Sequence, residues 1–78
     1  MITFKEAVNI ALDRNPNFNA VQEYADAYEF YIDDGITREG GGDNSCIVEK
    51  KNGAVLHWPV YFLDFERVVV AIGEPKKL

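Results

Sequence analysis

Seventy-eight residues, 47% hydrophobic and 13% aromatic, make a chain long enough for one domain and too apolar to stay disordered. A lone cysteine excludes an intramolecular disulfide and a thiolate metal cluster within one chain. Thirteen acidic against eight basic residues, a net charge of −5, oppose nucleic acid and anionic membrane surfaces and suit a basic or neutral protein partner, although the same balance also serves plain solubility.

The run Met1 to Glu6 lacks the basic and apolar regions of a secretory signal, and no apolar run approaches bilayer length, so a cytoplasmic protein is expected. Thr3-Phe4-Lys5-Glu6 reads as a capping box, which predicts a helix starting near Phe4. Phe4, Ala7, Val8, Ala11 and Leu12 recur at helical spacing as one apolar stripe, and Asn15-Pro16 ends the element. Val21 to Asp34 fits two periods: Val21, Tyr24, Ala25, Tyr28 and Ile32 recur as on a helix, whereas Tyr28, Phe30 and Ile32 alternate as on a strand. The aromatic and β-branched content before Asp33-Asp34-Gly35 selects a strand from about Ala27 to Asp33 and leaves residues 21–26 open.

The residues between Asp34 and Ser45 hold too many glycines for a regular element and read as a loop. Cys46 to Glu49 and Ala54 to Trp58 flank Lys50-Lys51-Asn52-Gly53, a hairpin whose glycine supplies a positive φ. Pro59 to Phe65 is compatible with a short helical turn, and Val68 to Ile72 with a further strand bounded by Gly73-Glu74-Pro75. The expected architecture is α+β: one domain over residues 1–78, with the N-terminal helix packed on a three- to four-stranded antiparallel sheet. Phe30, Ile32, Val48 and Leu56 are expected to face the Phe4, Val8 and Leu12 stripe.

Catalytic chemistry finds little material. His57 would have to activate Cys46 or Ser45 across the hairpin, but a lone histidine and a lone cysteine in strands ordinarily serve structure. Asp33, Asp34, Glu39 and Asp43 could offer oxygens to a hard cation, yet their spacing does not follow a calcium loop. Gly40 to Asp43 lacks the following helix of a phosphate-binding loop. The chain is therefore read as a non-enzyme with no cofactor and no metal. Trp58, Tyr61, Asp64 and Glu66, which set aromatic rings beside carboxylates, are the candidate partner-binding residues, with core filling as the competing role for the rings.

Tyr28-Glu29-Phe30-Tyr31, the glycine-rich loop and Asp43 to Val55 resemble a small bacterial immunity-protein family, the thirty-fifth class of immunity proteins in polymorphic toxin systems. The resemblance covers about half of the chain; Ser45 stands where that family tends to have proline, and Trp58 to Leu78 is not its helical tail. It implies a helix, an aromatic strand and a hairpin, and neutralisation of a cognate toxin by binding; it carries no catalytic or metal residue. The expected function is thus a non-catalytic protein-binding module of immunity type. A small-ligand or metal-binding domain and a self-associating homodimer are the alternatives.

Overall fold

The computed structural model describes residues 1–33, 45–56 and 70–78. Helix α1 spans Phe4–Arg14. Its capping box is complete: the Glu6 N–H donates to Thr3 Oγ1 and the Thr3 N–H donates to Glu6 Oε1, both at 3.1 Å, which satisfies two of the donors that a helix start leaves open. Asn15 closes the other end, its N–H donating to the Ala11 carbonyl at 3.0 Å.

Among the described residues five strands follow: β1 Ala20–Tyr24, β2 Ala27–Tyr31, β3 Ser45–Glu49, β4 Val55–Leu56 and β5 Ala71–Lys77. They form one sheet in the order β4-β3-β2-β1-β5, with every neighbouring pair antiparallel. The α+β class and the helix-on-sheet packing match the expectation, and the sheet has one strand more than the upper expected count. Residues 21–26, open on periodicity, belong to a β1–β2 hairpin in which Val21 pairs with Phe30 and Glu23 with Tyr28. Its two connecting residues, Ala25 and Asp26, carry none of the glycine or asparagine that marks a tight turn. They are held instead by long-range bonds, from the Ala25 N–H to the Val70 carbonyl and from the Lys50 N–H to the Asp26 carbonyl, both at 2.9 Å.

Alternation along the strands divides the interior. Ala7 and Ala11 of the helix join Phe18, Val21, Tyr28, Phe30, Cys46 and Val48 in one buried cluster, against which Ile2, Val8, Ile10, Leu12, Ile32 and Val55 pack in part. The opposite face buries Ala27 and Ile47, with Tyr24 and Leu56 against them.

This arrangement corrects several expectations. The helix touches the sheet most closely through its two alanines, whose small side chains allow close approach, so Val8 and Leu12 are displaced to the flanks and Phe4 remains almost half exposed. Leu56 pairs with Ile47 and shares the face away from the helix, whereas Val55, paired with Val48, takes the position expected for it. Strand β2 ends at Tyr31 and not at Asp33; there Asn19 grips the backbone of Asp33, accepting its N–H at 2.7 Å and donating to its carbonyl at 2.9 Å.

The largest difference is β5. Gly73-Glu74-Pro75, expected to end a strand, lies within one. Ile72 pairs with Glu23 and Lys76 with Val21, so three residues of β5 stand opposite the single residue Gln22. The bulge is absorbed at Gly73, where φ is +67°, and Gln22 Nε2 donates to the Gly73 carbonyl at 3.3 Å. The β3–β4 hairpin is as read, with Gly53 at φ +74°. The loop expected at residues 34–44, the second half of the hairpin from His57, the turn expected at 59–65 and the start of the strand expected from Val68 lie outside the described residues.

Candidate binding surface

An α-helix is about 10–12 Å across and strands are spaced about 4.8 Å apart, so a single helix covers roughly two or three strands of a five-stranded sheet. Helix α1 sits over the middle of the sheet, and β5 lies beyond its reach: every residue of β5 is exposed. Between them opens a recess of about 160 Å³. Phe4 of the helix and Tyr28 of β2 form one wall, Ile72 of β5 the other, and Val21 lines it from β1. Glu23, Glu74 and Lys76 complete the lining.

Register explains why these side chains meet. Val21 and Glu23 share a face of β1, and their partners Lys76, Ile72 and Tyr28 are brought to the same side by antiparallel pairing. Tyr28 is set between two rings, edge-on to Phe4 at 5.3 Å and tilted to Phe30 at 6.2 Å. Lys50, at the end of β3, lays its ammonium 4.9 Å from the centre of the Tyr28 ring and 2.7 Å from Glu23 Oε2. Its backbone carbonyl also accepts from the Ile2 N–H at 2.8 Å. One buried lysine thus ties the start of the helix, the β1–β2 turn and the inner carboxylate of the recess together. Lys50 reads in the sequence as a turn residue, and only the register of β2 against β3 brings it to Glu23.

The rim is apolar. Phe4, Val70, Ile72 and Leu78 are each close to half exposed. Ile72, Glu74 and Lys76 all line the recess, so Val70 and Leu78, two residues beyond each end of that series, fall on the same side of the strand. The outer backbone edge of β5 lacks a donor at Pro75. The Leu78 N–H donates to the Asn19 carbonyl at 2.9 Å, so Leu78 and Lys76 direct their backbone groups at β1 and Pro75 faces outward, where it has no N–H to offer.

Trp58, Tyr61, Asp64 and Glu66, the expected partner-binding residues, lie outside the described residues, as do His57, Asp34, Glu39 and Asp43. Of the candidate nucleophiles, Cys46 is buried and its thiol is pushed up to about 11, by burial first, which keeps it protonated and unreactive at neutral pH. Ser45 is buried, and its hydroxyl has no hydrogen-bond partner among the described residues. On the face away from the helix, the Tyr24 hydroxyl donates to Glu29 Oε1 at 3.3 Å and is pushed up to about 12 by burial and by that carboxylate. Among the described residues no group of three or more His, Cys, Asp or Glu could hold a metal ion, and no helix is long and apolar enough to cross a membrane.

A space of 160 Å³ is smaller than the roughly 300–1,000 Å³ of small-molecule sites and accommodates about one side chain. What the arrangement offers is apolar contact with charges of both signs at its border. In comparison with known proteins, the chain matches no family model, no curated protein and no solved structure.

Proposed function

We propose that this domain is a non-catalytic protein-binding module that receives its partner on the side of β1 and β5 left uncovered by the helix. The observation that carries the reading is the exposure of Phe4, Val70, Ile72 and Leu78, of which Phe4 and Ile72 line a recess sized for a side chain. Apolar side chains gathered on one side of a sheet edge lose contact with water when a partner covers them, at about 25 cal/mol per Å². The protonated thiol of Cys46 gives no support to nucleophilic catalysis.

The test is retrieval of proteins from native lysate by the tagged domain and by its Ile72→Asp variant, at low and high salt. The reading expects a stoichiometric protein, a second copy of the chain included, held by the parent and lost from the variant. Equal recovery by both, or recovery by neither, refutes it. An immunity-type role is the second reading, favoured by the excess of thirteen acids over eight bases and by the resemblance of the Tyr28 and Asp43 to Val55 segments to that family. It expects a basic toxin bound one to one and released by salt, because exposed charge pairs are screened over about 8–10 Å.

A further inference from the structure

We propose that Asn52 is a site of spontaneous deamidation and that the folded β3–β4 hairpin restrains the reaction, so that conversion proceeds through opening of the turn. The site is separate from the binding surface above and stands without it. Deamidation begins when the backbone nitrogen of the next residue gives up its proton and attacks the side-chain amide carbon, so it depends on how freely that nitrogen can be reached. Asn52 is the one asparagine of the sequence followed by glycine. Asn9, Asn17, Asn19 and Asn44 precede residues whose Cβ crowds the attack, and Asn15 precedes Pro16, which has no N–H to lose. Asn52 is also exposed in the connection between the two strands, where water reaches it. In the reaction a bond forms from the Gly53 nitrogen to Asn52 Cγ, the Cγ–Nδ2 bond breaks, and ammonia leaves with the Gly53 proton to give a cyclic imide. Water then opens the ring on either side, to aspartate or to its β-linked isomer, so the net change is amide plus water to carboxylic acid plus ammonia.

Two hydrogen bonds oppose the attack in the folded turn. The Gly53 N–H donates to the Glu49 carbonyl at 2.8 Å, so the proton that must leave is engaged. Asn52 Oδ1 accepts from the Ala54 N–H at 2.9 Å, which ties the side chain to the residue beyond Gly53. Gly53 is also seated beneath the helix, its ideal Cβ position 2.9 Å from Ile10 Cδ1 and 3.5 Å from Ile2 Cγ2, so the backbone leaves that seat when it swings to close a ring. Both bonds and the seat are released when the hairpin opens, a local event that costs no more than global unfolding. The two products differ in the turn. Aspartate keeps an oxygen for the Ala54 N–H, whereas the β-linked isomer lengthens the main chain by one carbon before Gly53 and shifts it from beneath Ile10; both add a negative charge beside Lys51.

The test is the full chain incubated at mildly alkaline pH, folded in buffer and unfolded in guanidinium chloride, with conversion at each asparagine followed by peptide mapping and mass spectrometry. The unfolded chain is expected to convert first at Asn52. The folded chain should convert there at least about tenfold more slowly, which corresponds to about 1.4 kcal/mol of opening. Amide hydrogen exchange gives an independent readout: the same N–H must leave the Glu49 carbonyl, so the Gly53 amide should be protected about tenfold or more. Equal conversion in both states, or an unprotected Gly53 amide, overturns the restraint, and first conversion of the unfolded chain at another asparagine overturns the site. Gly53→Ala, compared in the unfolded chain where its effect on stability is immaterial, should bring Asn52 to the rate of the other asparagines; a variant still led by Asn52 refutes the part given to the glycine.

Discussion

Replacing Gly53 by alanine separates backbone strain from packing. Gly53 holds φ at +74° in the turn of the β3–β4 hairpin, and a Cβ there would lie 2.9 Å from Ile10 Cδ1 on the helix above it. Left-handed backbone costs an L-residue about 1–2 kcal/mol, of which roughly 0.4–1 kcal/mol is recovered because alanine stiffens the unfolded chain. Displacing the Ile10 methyl, the free end of a flexible side chain, adds about 1 kcal/mol. Gly53→Ala should therefore lose about 1.5–2 kcal/mol, a fall of about 10 °C in the melting temperature of a domain this size. Gly73→Ala is the internal control, since its φ is +67° and no atom of the described residues lies within 4 Å of the added Cβ; it carries the strain alone and should lose about 1 kcal/mol at most. Urea denaturation followed by circular dichroism reads both. Ile10→Val removes the crowded methyl, so in that background the two glycine substitutions should converge. If Gly53→Ala costs no more than Gly73→Ala, or if their difference survives Ile10→Val, the close seating of the hairpin turn under the helix is refuted.

Two further perturbations probe the interior. Phe30 is wholly buried and Leu12 only partly so; Phe30→Ala should cost about 3–5 kcal/mol and Leu12→Ala about 1–2 kcal/mol, and equal losses in urea denaturation would contradict the placement of the alanines at the helix–sheet contact. Alkaline pH should destabilise the fold. Cys46 and Tyr24 have folded values raised to about 11 and about 12 from 9.0 and 10.0, so below pH 9 both are protonated in either state and their stabilisation is fully present. As pH rises the unfolded chain ionises first, and the stabilisation is lost from pH 9 to 11 for Cys46 and from 10 to 12 for Tyr24. Melting temperatures across this range should fall, and the first part of the fall should be absent in Cys46→Ala.

Local signals and long-range ones were not equally legible. The capping box of Thr3 and Glu6, the stop at Asn15-Pro16 and the turn at Gly53 are each decided by a few neighbouring atoms, and the structure places them as read. The hairpin of β1 and β2 is hard to read because Ala25-Asp26 carries no glycine or asparagine to mark a tight turn; its anchors, Val70 and Lys50, are distant in sequence. The placement of the partly buried Leu56 and Val55 on opposite faces depends on register, which the consecutive apolar residues Ala54-Val55-Leu56 do not specify. Lys50 escaped notice as a site residue for a similar reason: its partner Glu23 is twenty-seven residues away, and a lysine before a turn ordinarily means only exposure. Trp58, Tyr61, Asp64 and Glu66, the partner-binding residues expected from the sequence, lie outside the described residues, and the recess among the described residues is built by strand pairing that local sequence does not reveal.

Gly73 and Pro75 show why the end of the chain was misjudged and what it is suited to. Both are read as terminators because one loosens the backbone and the other removes a donor, which in a central strand would end the ladder. At an edge the same two properties have another effect. The glycine admits the bulge, so that Ile72 and Lys76 both remain paired to β1, and the proline denies the outer side a hydrogen bond at the middle of the strand. Backbone pairing is indifferent to side-chain identity and so invites any extended chain. Blocking it while leaving Val70, Ile72 and Leu78 exposed transfers recognition to side chains, whose shape and charge can distinguish one partner from another. Under the proposed protein-binding reading, an edge that lacks a donor at Pro75 and leaves Val70, Ile72 and Leu78 exposed would rest its selectivity on side chains more than on backbone pairing.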